Sequence, residues 1–411
     1  MKPQTFTKYP VLYYCTILVV VTASAAGQAG RLDNTFGNGG IATQQMVVTQ
    51  PTDFYSVGGA AIQSDGKIVV VGGVPSNSGF TVSAVLRFLP TGSLDRTFAA
   101  NGIFVLPNSF GSYAAVAIQS DGRILAGTGG GGVNGEVDRL TTTGHLDSSF
   151  GSSGRVTFRL NTLAAMALQP DGRILASLQP VVGGPGRVVR LMAGGSTDTS
   201  FGTNGFAFPP GGAGALEVLG NGDILVFGGL VSRLTSSGVL DTAFGVNGQL
   251  LAQTGGHASA ANGDILVAGV LVNNPTVPTI GLSAFAYHSV GIGDPAFGHN
   301  GGVMTAFPGF PTVSAAGMGL ESTGDIVELG TVSTTTTGAF GLVRYTPLGQ
   351  LDTSFGSGGI VTTSFSNNAT VTASAIAIQS DDKIVVAGTV STVALHGEFN
   401  TSLVVARYLA K

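Results

Sequence analysis

The chain has 411 residues, of which 43% are apolar and 10% charged, with 65 glycines and a formal net charge of −4. That balance excludes a solvated disordered chain, which needs high net charge and few apolar residues. The 18 basic residues are scattered, which excludes the clustered positive footprint of a nucleic-acid binder. Apolar residues alternate or come in short runs with no long amphipathic helical stretch, so the chain reads as all-β.

Taken from the start, residues 1–25 read as a signal peptide. Lys2 and Lys8 supply the positive start, Val11 to Val21 the apolar core, and Ala23-Ser24-Ala25 small residues for cleavage. The apolar core is short for a membrane span, and no later segment is a candidate for one. The single cysteine, Cys15, lies inside the signal, so the mature chain, 26–411, is expected to hold no disulfide. The protein is expected to be secreted or displayed at the cell surface, as a monomer.

Two motifs then alternate along the whole mature chain. The first is Asp-x-x-Phe, usually within Leu-Asp-x-x-Phe-Gly, beginning at Asp33, Asp95, Asp147, Asp198, Asp241, Asp294 and Asp352. The second is Gln-Ser-Asp-Gly-Lys-Ile at 63–68, echoed around Gly122, Gly172, Gly222, Gly263, Gly324 and Asp382. Interleaved copies at a period of about fifty residues mark a repeat architecture. Each unit reads as four strands: an Ala-rich one such as 114–118, a tight Asp-Gly hairpin, a return strand, a third strand ending in Arg-Leu or Arg-Tyr, and a fourth after the Asp-x-x-Phe corner. Four short strands per repeat predict a propeller blade, and small residues in each first strand fit the crowding around an axis. The expected fold is a single seven-bladed β-propeller domain with antiparallel blades.

These corners and hairpins closely resemble the delta-60 repeat family of bacterial secreted and surface proteins. The resemblance runs from Leu32 to Lys411 and implies a propeller, but no established reaction, cofactor or ligand. Its weak copies are Thr197-Asp198, Gly293-Asp294-Pro295 and Asp381-Asp382.

The chain begins with a corner and fourth strand (32–42) and ends on a third strand (403–409), so the N-terminal strand must complete the last blade. Arginine stands eight residues before the corner Asp at Arg87, Arg139, Arg190, Arg233 and Arg344; only Ala286 breaks the rule. Arg407 and Asp33 are left over at opposite ends and are expected to pair across the seam.

Chemistry is sparse. The corner acids read as turn caps, since a calcium loop needs several oxygen ligands at alternate positions. Eight more acids stand at hairpins, leaving Asp53, Glu136, Asp138, Glu217, Glu321, Glu328 and Glu398 outside the repeat pattern. The five histidines show no metal-ligand spacing; His257, just before a first strand, is the candidate to face the channel. No catalytic residue, metal or cofactor is expected. Two connections per repeat vary in length and share one face, and variation of that kind marks a binding face. Phe54, Tyr55, Phe110, Tyr113, Phe307 and Phe310 lie there as possible ligand contacts. The expected role is a binding or scaffold module for a protein or glycan; the alternative is a lyase or hydrolase with its site in the axial channel.

Overall fold

The computed structural model describes residues 29–45, 56–76, 80–106, 109, 111–130, 134–250, 256–259, 263–272, 280–366, 368–393 and 399–411. The expected signal peptide, Phe54, Tyr55 and Phe110 lie outside these residues. Seven four-stranded antiparallel sheets make up the fold, a seven-bladed propeller as the repeats predict. The first blade is typical, with strands Ser56–Ile62, Ile68–Pro75, Thr81–Phe88 and Ile103–Val105. First strands of neighbouring blades pack in order round the axis, and that of the seventh blade (Thr370–Ile378) returns to that of the first.

The layers follow from burial. Strand Ser56–Ile62 is half-buried throughout, whereas Ile68–Val74 is fully buried. The first strands therefore line an axial channel, and the second and third carry the interblade core. In five of the first strands one extra residue breaks the ladder, at Gly58, Ala114, Ala164, Ala316 and Ser374, a bulge that increases local twist.

The weak repeat copies keep the common geometry. Leu191–Thr197 and Tyr287–Gly293 form the same bridge as Phe88–Leu94. Asp382 takes the left-handed conformation (φ 63°) that glycine holds in the other hairpins, and its carboxylate accepts a 2.7 Å bond from the Ser322 amide of the sixth blade. Three of the hairpin acids, Asp223, Asp264 and Asp325, stand after the turn glycine, in the place of Lys67, Arg123 and Arg173.

Closure is as expected. Ile41–Gln45 pairs antiparallel with Phe399–Tyr408, Ala42 opposite Val405, and completes the seventh blade with Ile384–Val393 and Thr370–Ile378. The seam falls inside a turn. In the first blade Leu89 and Ser93 close that turn (2.8 Å), with Gly92 bonded back to Leu89. At the seam Leu409 donates to Arg31 and Gly30 to Leu409 (2.8 and 2.7 Å), so two separate chain segments rebuild the same turn. Removing 29–45 would strip the outer edge of Phe399–Tyr408, and exposed edges invite association. We expect that deletion to run as aggregate on size exclusion; a monomeric, cooperatively unfolding product would contradict the closure.

Candidate functional site

The corner residues act together. Asp33 accepts the Thr35 amide (3.0 Å) and hydroxyl (2.6 Å) on one oxygen. Its other oxygen takes Arg407 Nε and a terminal nitrogen at 3.0 and 2.9 Å. The remaining guanidinium nitrogen donates to Pro90 O of the first blade (2.7 Å), and the guanidinium carbon lies 4.7 Å from the Phe36 ring centroid. The Nε–carboxylate bond recurs for Arg87, Arg139, Arg190, Arg233 and Arg344, each stacked 4.4–4.7 Å from its own corner Phe. Each also donates to a carbonyl of the next blade: Thr142, Ala193, Ser236, Ser289 and Ala410. Burial disfavours charge on Asp33, but the Thr35 bonds and Arg407 outweigh it and hold the carboxyl below the usual range. It stays ionised, which suits a staple and not a proton donor.

Backbone completes the contact. The corner amide of Gly37 donates to Thr91 O of the next blade at 2.7 Å, and the other six corners do the same. Gly92 is required there: at φ 89° a Cβ would sit 2.6 Å from the Gly37 nitrogen.

The acids outside the repeat pattern that lie among the described residues do not gather at one site, though Glu136 and Asp138 share Arg155. Asp53 and Glu398 lie outside the described residues. Asp138, fully buried, accepts the Tyr113 hydroxyl (2.7 Å) and two Arg155 bonds (2.6 and 3.1 Å), and Arg155 also meets Glu136 at 3.1 Å. Glu321 is drawn to the Arg344 guanidinium (3.2 Å). Glu217 sits on the first strand of the fourth blade, Ala215–Val218. Glu328 is enclosed between the fifth and sixth blades, accepting the Gly269 amide at 3.3 Å, and its second oxygen finds no partner.

The six possible ligand contacts divide. Tyr113 and Phe307 are buried rather than presented: Tyr113 packs into the core between the first two blades and Phe307 into that between the fifth and sixth. Each stands where the chain re-enters the ring and fills the gap between sheets. Phe310 is half-buried against the same cluster as Phe307. Strand patterning missed the rings that are exposed on this face, Phe80 (56%) and Phe208 (52%), together with Leu160, Val182 and Val393. Apolar runs alone put long connections at 270–282 and 389–403, but strands Ile265–Val272 and Ile384–Val393 run further and shorten both. His257 lies within the first strand Gly256–Ser259, opposite Val267, rather than before it.

On the opposite face, a cleft of about 890 Å³ opens at the seam between the seventh and first blades, lined by Gln63, Asp65, Asp381, Lys383 and Arg407 among others. Burial opposes charge on Asp65 and Asp381, yet their own turn lysines, Lys67 and Lys383, hold both carboxyls low. Neither is poised for acid–base work near neutrality.

Two segments, 63–98 and 169–201, match a family described as a domain of unknown function (DUF5122) beta-propeller. No curated protein matches the chain. Among solved structures, polysaccharide lyase Uly1 aligns over 96% of this chain and 100% of its own, at 11% identity and a TM-score of 0.49. An ulvan lyase aligns over 83% and 77%, at 12% and 0.39. The PQQ-bound aldose sugar dehydrogenase from Streptomyces coelicolor aligns over 71% and 93%, at 12% and 0.40. At such values the likeness carries no weight for the chemistry of this chain.

Burial pushes Glu328 up from 4.5 to about 8, against the Gly269 and Ser283 amides that favour its charge. A raised carboxyl stabilises the fold fully below its unfolded value and loses that contribution as pH rises through the folded one. Melting temperature should therefore fall between pH 4.5 and about 8, and Glu328→Gln should flatten the fall. Parallel profiles for the two proteins would show that Glu328 does not set it.

Proposed function

We propose that this chain is an exported bacterial propeller of the delta-60 kind, monomeric, and that it serves as a binding or scaffold module holding a protein or glycan on its loop face. One observation carries this over an axial enzyme. The seven first strands are built mostly of Ala, Gly, Ser, Thr and aliphatic residues, and the ionisable residues in them are Glu217, His257 and Tyr113, the last buried between blades. Propeller catalysis at an axis needs convergent polar groups, and fold alone does not supply them. The loop face instead offers Phe80 and Phe208 on connections whose length changes from blade to blade. Exposed rings suit stacking on a sugar or anchoring a protein partner.

The second reading keeps a lyase or hydrolase. Glu217 and His257 occupy adjacent first strands, Ala215–Val218 and Gly256–Ser259, which pack on each other. A general acid and base would be sought there.

The purified chain should capture ligand from glycan arrays or envelope extracts. Phe80→Ala and Phe208→Ala should each weaken that binding by about 1 kcal/mol or more, as truncated interface anchors do, with melting temperature unchanged. Turnover of a polysaccharide that is lost in Glu217→Gln and His257→Ala but kept in the phenylalanine variants would favour the enzyme.

A further inference from the structure

We infer a site for a divalent transition-metal ion on the hairpin-and-corner face of the fifth blade, formed by Asp264, His288 and Asp294. Three features found together only in this blade meet there. Ala286, buried, stands where the other six blades place the staple arginine. Asp264 stands in the place of the hairpin cations Lys67, Arg123, Arg173 and Lys383. His288 opens the turn that begins with Leu89, Thr141, Met192, Thr235, Thr346 and Leu409 in the other blades. Two carboxylates and an imidazole thus converge on ground that a guanidinium holds elsewhere.

Backbone bonds fix two of the three. Asp294 keeps the corner geometry, its amide bonded to Ala286 O (2.9 Å) and its carboxylate to the Ala296 amide (2.9 Å). His288 is held by turn bonds of 2.7 Å to Ile292 and Gly291. The imidazole Nδ1 lies 3.6 Å from Asp264 Oδ1 and Nε2 lies 3.8 Å from Asp294 Oδ1. Both are too long for direct hydrogen bonds. One donor atom from each residue falls within 4.8 Å of the other two. Ligands at about 2.0–2.2 Å from a zinc ion stand roughly 3–4 Å apart; a single ion takes one ring nitrogen, so the carboxylate beside the other nitrogen must turn toward it to complete the set. The imidazole selects zinc, cobalt or nickel over calcium and magnesium, which prefer oxygen alone. Three protein ligands leave a position for water or for a group on a bound partner.

The test is titration of the chelator-treated, full exported chain with zinc chloride by calorimetry, with cobalt absorption as the spectroscopic readout. Wild type should take up a single saturable equivalent. His288→Ala should weaken uptake by roughly tenfold or more, the loss an outer-shell partner alone causes being the lower bound. Ala286→Arg, which restores the guanidinium of the other blades, should abolish it. Absence of uptake by wild type, or equal uptake by wild type and His288→Ala, as scattered surface histidines would give, overturns the site. His288 is a half-exposed turn residue, so its variant keeps the test decisive if Ala286→Arg fails to fold.

Discussion

An ion pair taken out of water loses more in desolvation than its attraction returns unless every donor and acceptor is satisfied. The corner arginines meet that condition. Each guanidinium gives Nε to its own aspartate and a terminal nitrogen to a carbonyl of the next blade, while its flat face lies on a buried phenylalanine. The aspartate in turn spends its second oxygen on the turn that carries it. Satisfaction is complete only when the neighbouring blade is docked, so the staple reports on assembly and not merely on the fold of one sheet. The exposed hairpin pairs, such as Arg123 with Asp121, are of a different kind, and pairs of that sort contribute little.

This divides the molecule into two faces. One carries hairpins and corners of nearly constant length, whose acids, Asp264 and Asp294 of the fifth blade apart, are committed to turns and staples. The other carries the connections between second and third strands and between blades, where length varies and the rings of Phe80 and Phe208 reach solvent. A scaffold locked on one face can vary the other at small cost to stability, the usual arrangement of loops on a rigid frame.

Much of this was legible in the sequence because the repeat states each rule several times over. Asp33 and Arg407 could be paired before any coordinates, since five internal copies showed the eight-residue spacing. Burial was not legible at Tyr113 and Phe307: an aromatic beside a variable loop looks the same whether it fills a wedge between blades or faces outward. The repeat pattern also hid something. Asp264 and Asp294 read as a hairpin and a corner acid, and His288 has no equivalent in other copies, so their convergence shows only in three dimensions. The seam cleft is likewise formed by turns more than three hundred positions apart in the chain.

Because each of the six corner arginines reaches forward to the next blade and none reaches back, the interface between blades is heterologous: one surface meets a different surface of its neighbour. Such an interface, repeated, generates either a closed ring or an open spiral, according to the rotation it imposes at each step. Here one covalent chain supplies all the subunits, and the turn shared by Gly30 and Leu409 makes the last junction chemically equivalent to the others. The number of blades is thus written into the angle of a single contact, much as the stoichiometry of a cyclic oligomer is written into its subunit interface. A chain that gained or lost one repeat would keep its forward-reaching surface and its receiving surface, and would have to find another molecule to satisfy them.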